Sequence, residues 1–110
     1  MFTYLMRQTF VVGALAAATQ AAAAPVDATT ARALLERNKC YLCHADSEPK
    51  AGPAYVDVAA RYRGVPRAES TLIATVTRGS HGAGPWHMPP HPELSDADVK
   101  LMVRYILSLK

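Results

Sequence analysis

A chain of 110 residues is long enough for one small domain and too short to bury a large apolar core. Its formal net charge is +3, with 12 Lys and Arg against 9 Asp and Glu. With no basic run and no basic-aromatic interleaving, that balance gives no support to nucleic-acid binding.

The chain opens on a targeting segment. Arg7 is the only charge before Asp27, Phe10 to Ala18 is apolar with a single glycine, and Ala21 to Ala24 is a run of small residues. This is the charged, apolar and cleavage-region order of a secretory signal peptide. The alternative is an uncleaved membrane anchor, but the run falls short of the roughly 20 apolar residues that span a bilayer. Pro25 is a poor residue just after a cut, so cleavage is expected after Ala23. The expected organisation is a signal peptide over 1–23 and one domain over 24–110. The remaining 87 residues carry a net charge of +2, because Arg7 leaves with the signal. A core this small commonly needs a staple or a cofactor.

A first helix is predicted from Asp27, Thr29 or Thr30 as cap, with Ala31, Leu34 and Leu35 on its apolar face, running into Cys40. Cys40-Tyr41-Leu42-Cys43-His44 then contains both cysteines. The spacing C-x-x-C-H reads as a c-type haem attachment site. Each thiol adds across a vinyl group to leave a thioether, and the adjacent histidine comes over the ring face to bind iron. A free redox pair, a plain disulfide and half of a zinc site use the same residues. No βαβ pattern supports the redox pair, and no second cysteine pair completes a zinc site.

Ala45 to Ala51 is polar and reads as a loop. Gly52-Pro53-Ala54-Tyr55 follows, with Pro53 placed to start a short helix. Tyr55, Val58, Ala59 and Tyr62 recur at helical spacing, and Gly64 ends the run. Arg61, Arg63 and Arg67 cluster as a solvated face or part of a docking rim. A third helix is predicted over 68–78, with Leu72, Ile73 and Val76 inward and Gly79 closing it. Ser80 to Pro92 shows no periodicity, and irregular loops of this length in small domains are usually functional. Within it, the prolines of Met88-Pro89-Pro90 stiffen the backbone and fix the sulfur. His81, His87 and His91 share the loop and are a further candidate for copper or zinc, although spacings of six and four fix no geometry. Ser95-Asp96-Ala97-Asp98 opens the last helix, and Val99, Met102, Val103 and Ile106 line one face of it with Leu101 and Tyr105 beside them. No strand and no repeat is predicted. The fold class is all-α, with about four helices.

In the order and spacing of Cys40-x-x-Cys43-His44, Gly52-Pro53-Ala54-Tyr55, Met88-Pro89-Pro90 and the final helix with Tyr105, the chain resembles a short, single-haem bacterial class I c-type cytochrome. The resemblance covers nearly all of residues 29–110. It implies the cytochrome c fold wrapped round one covalently attached haem c per chain. It further implies thioethers at Cys40 and Cys43, and iron ligated by His44 on one side and Met88 on the other. The Pro53 carbonyl would accept the ring N–H of His44 and so orient it. Tyr55 and Tyr62 would wall the pocket, and Leu35 would meet the last helix near Tyr105. Trp86 is counted among the haem-binding residues, although it sits nearer Met88 than the propionate-binding Trp of such proteins. Other departures are Lys39 where Gly often precedes the first cysteine, His87 where Pro is usual, and His91 where Asn often bonds the sulfur.

The function so implied is one-electron transfer in the periplasm. Partners would be redox proteins, either periplasmic or membrane-bound oxidases, reductases or dehydrogenases, which a monomer would meet through transient docking. With both axial positions filled, no small-molecule substrate and no enzymatic activity are expected. Two alternatives are a haem subunit of one periplasmic dehydrogenase, and a sensor or peroxidase-like haem with a displaceable distal ligand.

Overall fold

A computed structural model of the chain describes residues 11–17, 26–82 and 87–110. Most of the expected signal segment therefore lies outside the described residues. Residues 11–17 carry no regular secondary structure, and Val11, Val12 and Leu15 are almost fully exposed. Among the described residues no helix is long and apolar enough to cross a membrane.

Four helices form the domain: α1 (Ala28–Arg37), α2 (Tyr55–Tyr62), α3 (Ala68–Arg78) and α4 (Asp96–Ser108). Asp27 caps α1 by accepting the backbone N–H of Thr30 at 3.1 Å, and Ser95 caps α4 by accepting that of Asp98 at 3.2 Å. Each of these bonds satisfies one of the free donors at a helix start.

Two boundaries differ from the sequence reading. Helix α1 stops at Arg37 instead of reaching Cys40, because Asn38 closes it and Lys39 turns left-handed at φ 61°. A side chain there costs about 1 kcal/mol, which glycine would avoid. A single 3-10 turn over Cys40–Leu42 then carries the first cysteine. Pro53 does not start α2. Ala54 is its extended cap, so Pro53 lies before the helix and its carbonyl is free of helical bonding.

Helix α4 is the spine, packing against α1, α2 and α3. Met102, Tyr105 and Ile106 join Ala31, Leu34, Leu35 and Tyr55 in one buried cluster. Val99 and Val103 join Leu72 in a second, flanked by Val58, Tyr62, Ile73 and Val76. Both stripes follow from the 3.6-residue period of α4, which presents two adjacent faces to different neighbours. Burying each large apolar side chain contributes roughly 1.5–3 kcal/mol.

The sequence predicts no strand, yet a minimal antiparallel ladder forms between β1 (Ser80–His81) and β2 (His87–Met88), pairing Ser80 with Met88 and His81 with His87. Two residues per strand are too few for alternation to show in sequence. The left-handed Gly79 (φ 77°) turns the chain out of α3 into this ladder.

Candidate functional site

Between the helices and the ladder lies a cavity of about 830 Å³. Its lining brings together Cys40, Cys43, His44, Gly52, Pro53, Tyr55, Tyr62 and Met88, from segments far apart in sequence. The wall is completed by core side chains, among them Leu35, Val58, Leu72, Met102, Val103 and Ile106. Pockets of roughly 300–1,000 Å³ with apolar walls and a few placed polar groups are the usual sites of bound cofactors. Exposed Arg37, Lys39 and Arg61 also line it.

His44 is tightly specified. Its Nδ1 lies 2.7 Å from the Pro53 carbonyl oxygen. A carbonyl can only accept, so Nδ1 carries the proton and donates, which leaves the lone pair on Nε2 for a metal. The ring stacks on Tyr55, centroids 4.8 Å apart and planes inclined by 18°. Gly52 closes the other approach: its N–H donates to the Cys43 carbonyl at 2.6 Å, and a Cβ at this position would clash with Cε1 of His44 and stand 2.9 Å from Nε2. Only glycine lets the backbone pass this close to the ring.

The two thiols differ. Cys40 is half-buried and Cys43 is exposed. Burial pushes the Cys40 thiol above its ordinary range. Burial likewise raises the Tyr55 phenol, and neutral Tyr55 serves as a wall of the cavity.

Met88 arrives on β2 and is half-buried at the cavity. Its segment is seated by close backbone approach: a Cβ at Gly79 would come within 2.6 Å of the Met88 carbonyl oxygen and 2.9 Å of the Pro90 nitrogen. Beyond the prolines, the His91 N–H donates to the Val76 and Thr77 carbonyls at the end of α3, at 3.0 and 3.2 Å. Trp86 lies outside the described residues.

Asp46, within the segment predicted as a polar loop, proves central. The carboxylate of Asp46 accepts from Tyr105 at 2.6 Å and from Tyr41 at 2.9 Å, and Arg32 donates to the Tyr105 oxygen at 2.8 Å. A single side chain thus ties the His44 turn to α1 and α4. Its partners are distant in sequence, and nothing local marks it.

Two free thiols spaced to reach one ring, an imidazole with its proton committed, a methionine thioether and an apolar cavity fit a covalently held haem. The comparisons agree. A family model described as cytochrome c oxidase, cbb3-type, subunit III matches residues 26–106. The cytochrome c-551 of Allochromatium vinosum is 42% identical over 79 residues, covering 69% of this chain and 82% of that one.

The chain belongs to the cytochrome c family.

Solved structures match this cytochrome closely. The crystal structure of Nitrosomonas europaea cytochrome c552 superposes with a TM-score of 0.68 at 38% identity, covering 72% of this chain and 99% of that one. The class 1 cytochrome of Sideroxydans lithotrophicus gives a TM-score of 0.67 at 32% identity, over 76% and 97% of the two chains. The cytochrome c fold and class I membership expected from sequence are therefore met. This cytochrome is a small monohaem electron-transfer protein, with one covalently attached haem c per chain.

Proposed function

We propose that this cytochrome is a periplasmic one-electron carrier in which Cys40 and Cys43 anchor the haem and His44 and Met88 ligate its iron. The observation that supports this reading best is that all four residues line one cavity although Met88 lies far along the chain from the other three. When bound, the haem supplies an iron that cycles between two oxidation states. The chain's own residues do the rest. Pro53, Tyr55 and Gly52 orient the His44 ring, and a ligand held in place keeps reorganisation small. The Met88 thioether is a soft donor and favours the reduced form. Held by His44 and Met88 together, the iron would offer no open position to a substrate, and the haem would supply electron transfer without catalysing a reaction.

The exposed Cys43 and Leu42 mark where the haem edge would reach the surface, beside the cations Arg37, Lys39 and Arg61. A monomer docking there meets redox proteins, oxidases, reductases or dehydrogenases, through a small and transient interface. Residues 1–23 act as the cleaved signal that exports the domain over 24–110. In support, Val11, Val12 and Leu15 stay exposed instead of joining the core.

Replacing Met88 tests the assignment. The wild type is expected to show the weak red absorption band of thioether-ligated ferric haem. Met88→Ala should lose it and bind carbon monoxide when reduced. Met88→His should keep a filled iron and lower the potential by a few tenths of a volt, within the span of about 0.8 V that axial ligands command. A Met88→Ala protein with unchanged spectrum and potential would show that the distal ligand lies elsewhere.

A further inference from the structure

At the rim of the cavity, two histidines meet across the ladder. Its register sets His81 opposite His87 and Ser80 opposite Met88. Directly opposed residues project to one face of a ladder, and their chain neighbours to the other. Ser80 and Met88 therefore share one face and line the cavity, and the two histidines share the other, with part of His87 also touching the cavity. Both histidines are exposed, with ring centroids 5.7 Å apart and planes inclined by 29°.

We propose that His81 and His87 together bind one divalent transition-metal ion. Two imidazoles bonded to a single tetrahedral ion at about 2.0–2.1 Å place their centroids roughly 5 Å apart. The observed separation is close to that value, and exposed side chains rotate the remaining way without disturbing any packing. A spacing of six residues sets no such geometry by itself; the strand register does. His91 takes no part. Its ring nitrogen Nδ1 faces Glu93 Oε1 at 3.3 Å, and its backbone is held by α3. Among the described residues no third His, Cys, Asp or Glu joins the pair, so water completes the coordination. Imidazole donors with water select zinc, copper or nickel over calcium and magnesium. The site makes no use of the Met88 assignment and stands independently of it.

The test is calorimetric titration of Zn²⁺ into the tag-free, haem-loaded ferric protein, for the wild type and for His81→Gln, His87→Gln and His91→Gln. These positions are exposed or loop-borne, and an unchanged haem spectrum verifies that each variant is folded. The wild type should bind one ion per chain. His81→Gln and His87→Gln should each weaken binding about tenfold or more, since the second imidazole acts at high effective concentration. His91→Gln should bind as the wild type does. Four results would overturn the proposal. These are absence of saturable binding, binding that survives both ladder substitutions, loss in only one of them, and an equal loss in His91→Gln.

Discussion

The two segments that converge on the cavity are held by different means. Around His44, bonds arrive from every side: Gly52 to the Cys43 carbonyl, Pro53 to the ring, Tyr55 N–H to the Ala45 carbonyl at 2.9 Å, and Asp46 to tyrosines on the attachment turn and on α4. Around Met88 there is a two-residue ladder, two prolines and a glycine that lets backbones touch. The imidazole is fixed by hydrogen bonds that reach into the core, whereas the thioether is fixed by the stiffness of the chain that carries it. Of the two proposed iron ligands, Met88 should therefore be the first to exchange.

The largest expected effect removes what both segments share. Cys40→Ala with Cys43→Ala should abolish the proposed covalent haem attachment and leave the domain without a cooperative unfolding transition, because so small a domain with an 830 Å³ hollow cannot form a sufficient core. Thermal unfolding of the exported double variant checks this. A sharp transition without haem would mean that the hydrogen-bonded half folds by itself.

Gly52→Ala bears on the tight side directly. The added methyl displaces the His44 ring, and overpacking should cost about 2–3 kcal/mol in denaturant unfolding. Stability within a few tenths of a kcal/mol of the wild type would show that the ring has room to move, which would erase the contrast between the segments.

Asp46→Asn should cost less, about 1–2 kcal/mol, since the carboxylate is partly exposed and one acceptor remains. The red absorption band expected of the proposed Met88 ligation should be unchanged. Loss of the red band in this variant would mean that the two segments are coupled after all.

The smallest effect is a pH dependence. Burial, and then the hydrogen bond to Asp46, raise the Tyr41 phenol above its ordinary value of 10.0. The folded state thus keeps a proton that the unfolded state releases first. The associated stability is complete below pH 10 and is lost as pH rises towards the raised folded value. Tyr41→Phe should shrink the fall in melting temperature between neutral and strongly alkaline solution. An identical fall in both proteins would assign the alkaline loss to other groups.

What could be read from sequence was what the chain writes locally. Cys40-x-x-Cys43-His44 and Met88-Pro89-Pro90 are contiguous, and α3 has the bounds 68–78 that Leu72, Ile73, Val76 and Gly79 predict. Helix α1 ends short of the expected Cys40 because Glu36-Arg37-Asn38-Lys39 contains no glycine or proline to mark a stop, and a left-handed lysine breaks the helix where a glycine would have announced it. The ladder was invisible for want of length, and Asp46 because its partner Tyr105 lies 59 residues away.

That distance bears on the order in which the protein is put together. The bond from His44 to Pro53 closes a loop of only nine residues, whereas the bond from Tyr105 to Asp46 must bring together positions 59 apart. Loop closure costs more entropy as the intervening chain lengthens. The short loop is therefore within reach of a chain whose last helix has not yet docked. Attachment at the proposed Cys40 and Cys43 would involve a contiguous stretch, so it would be able to precede the fold and then template it, with α4 arriving last to seal a cavity that already has its occupant.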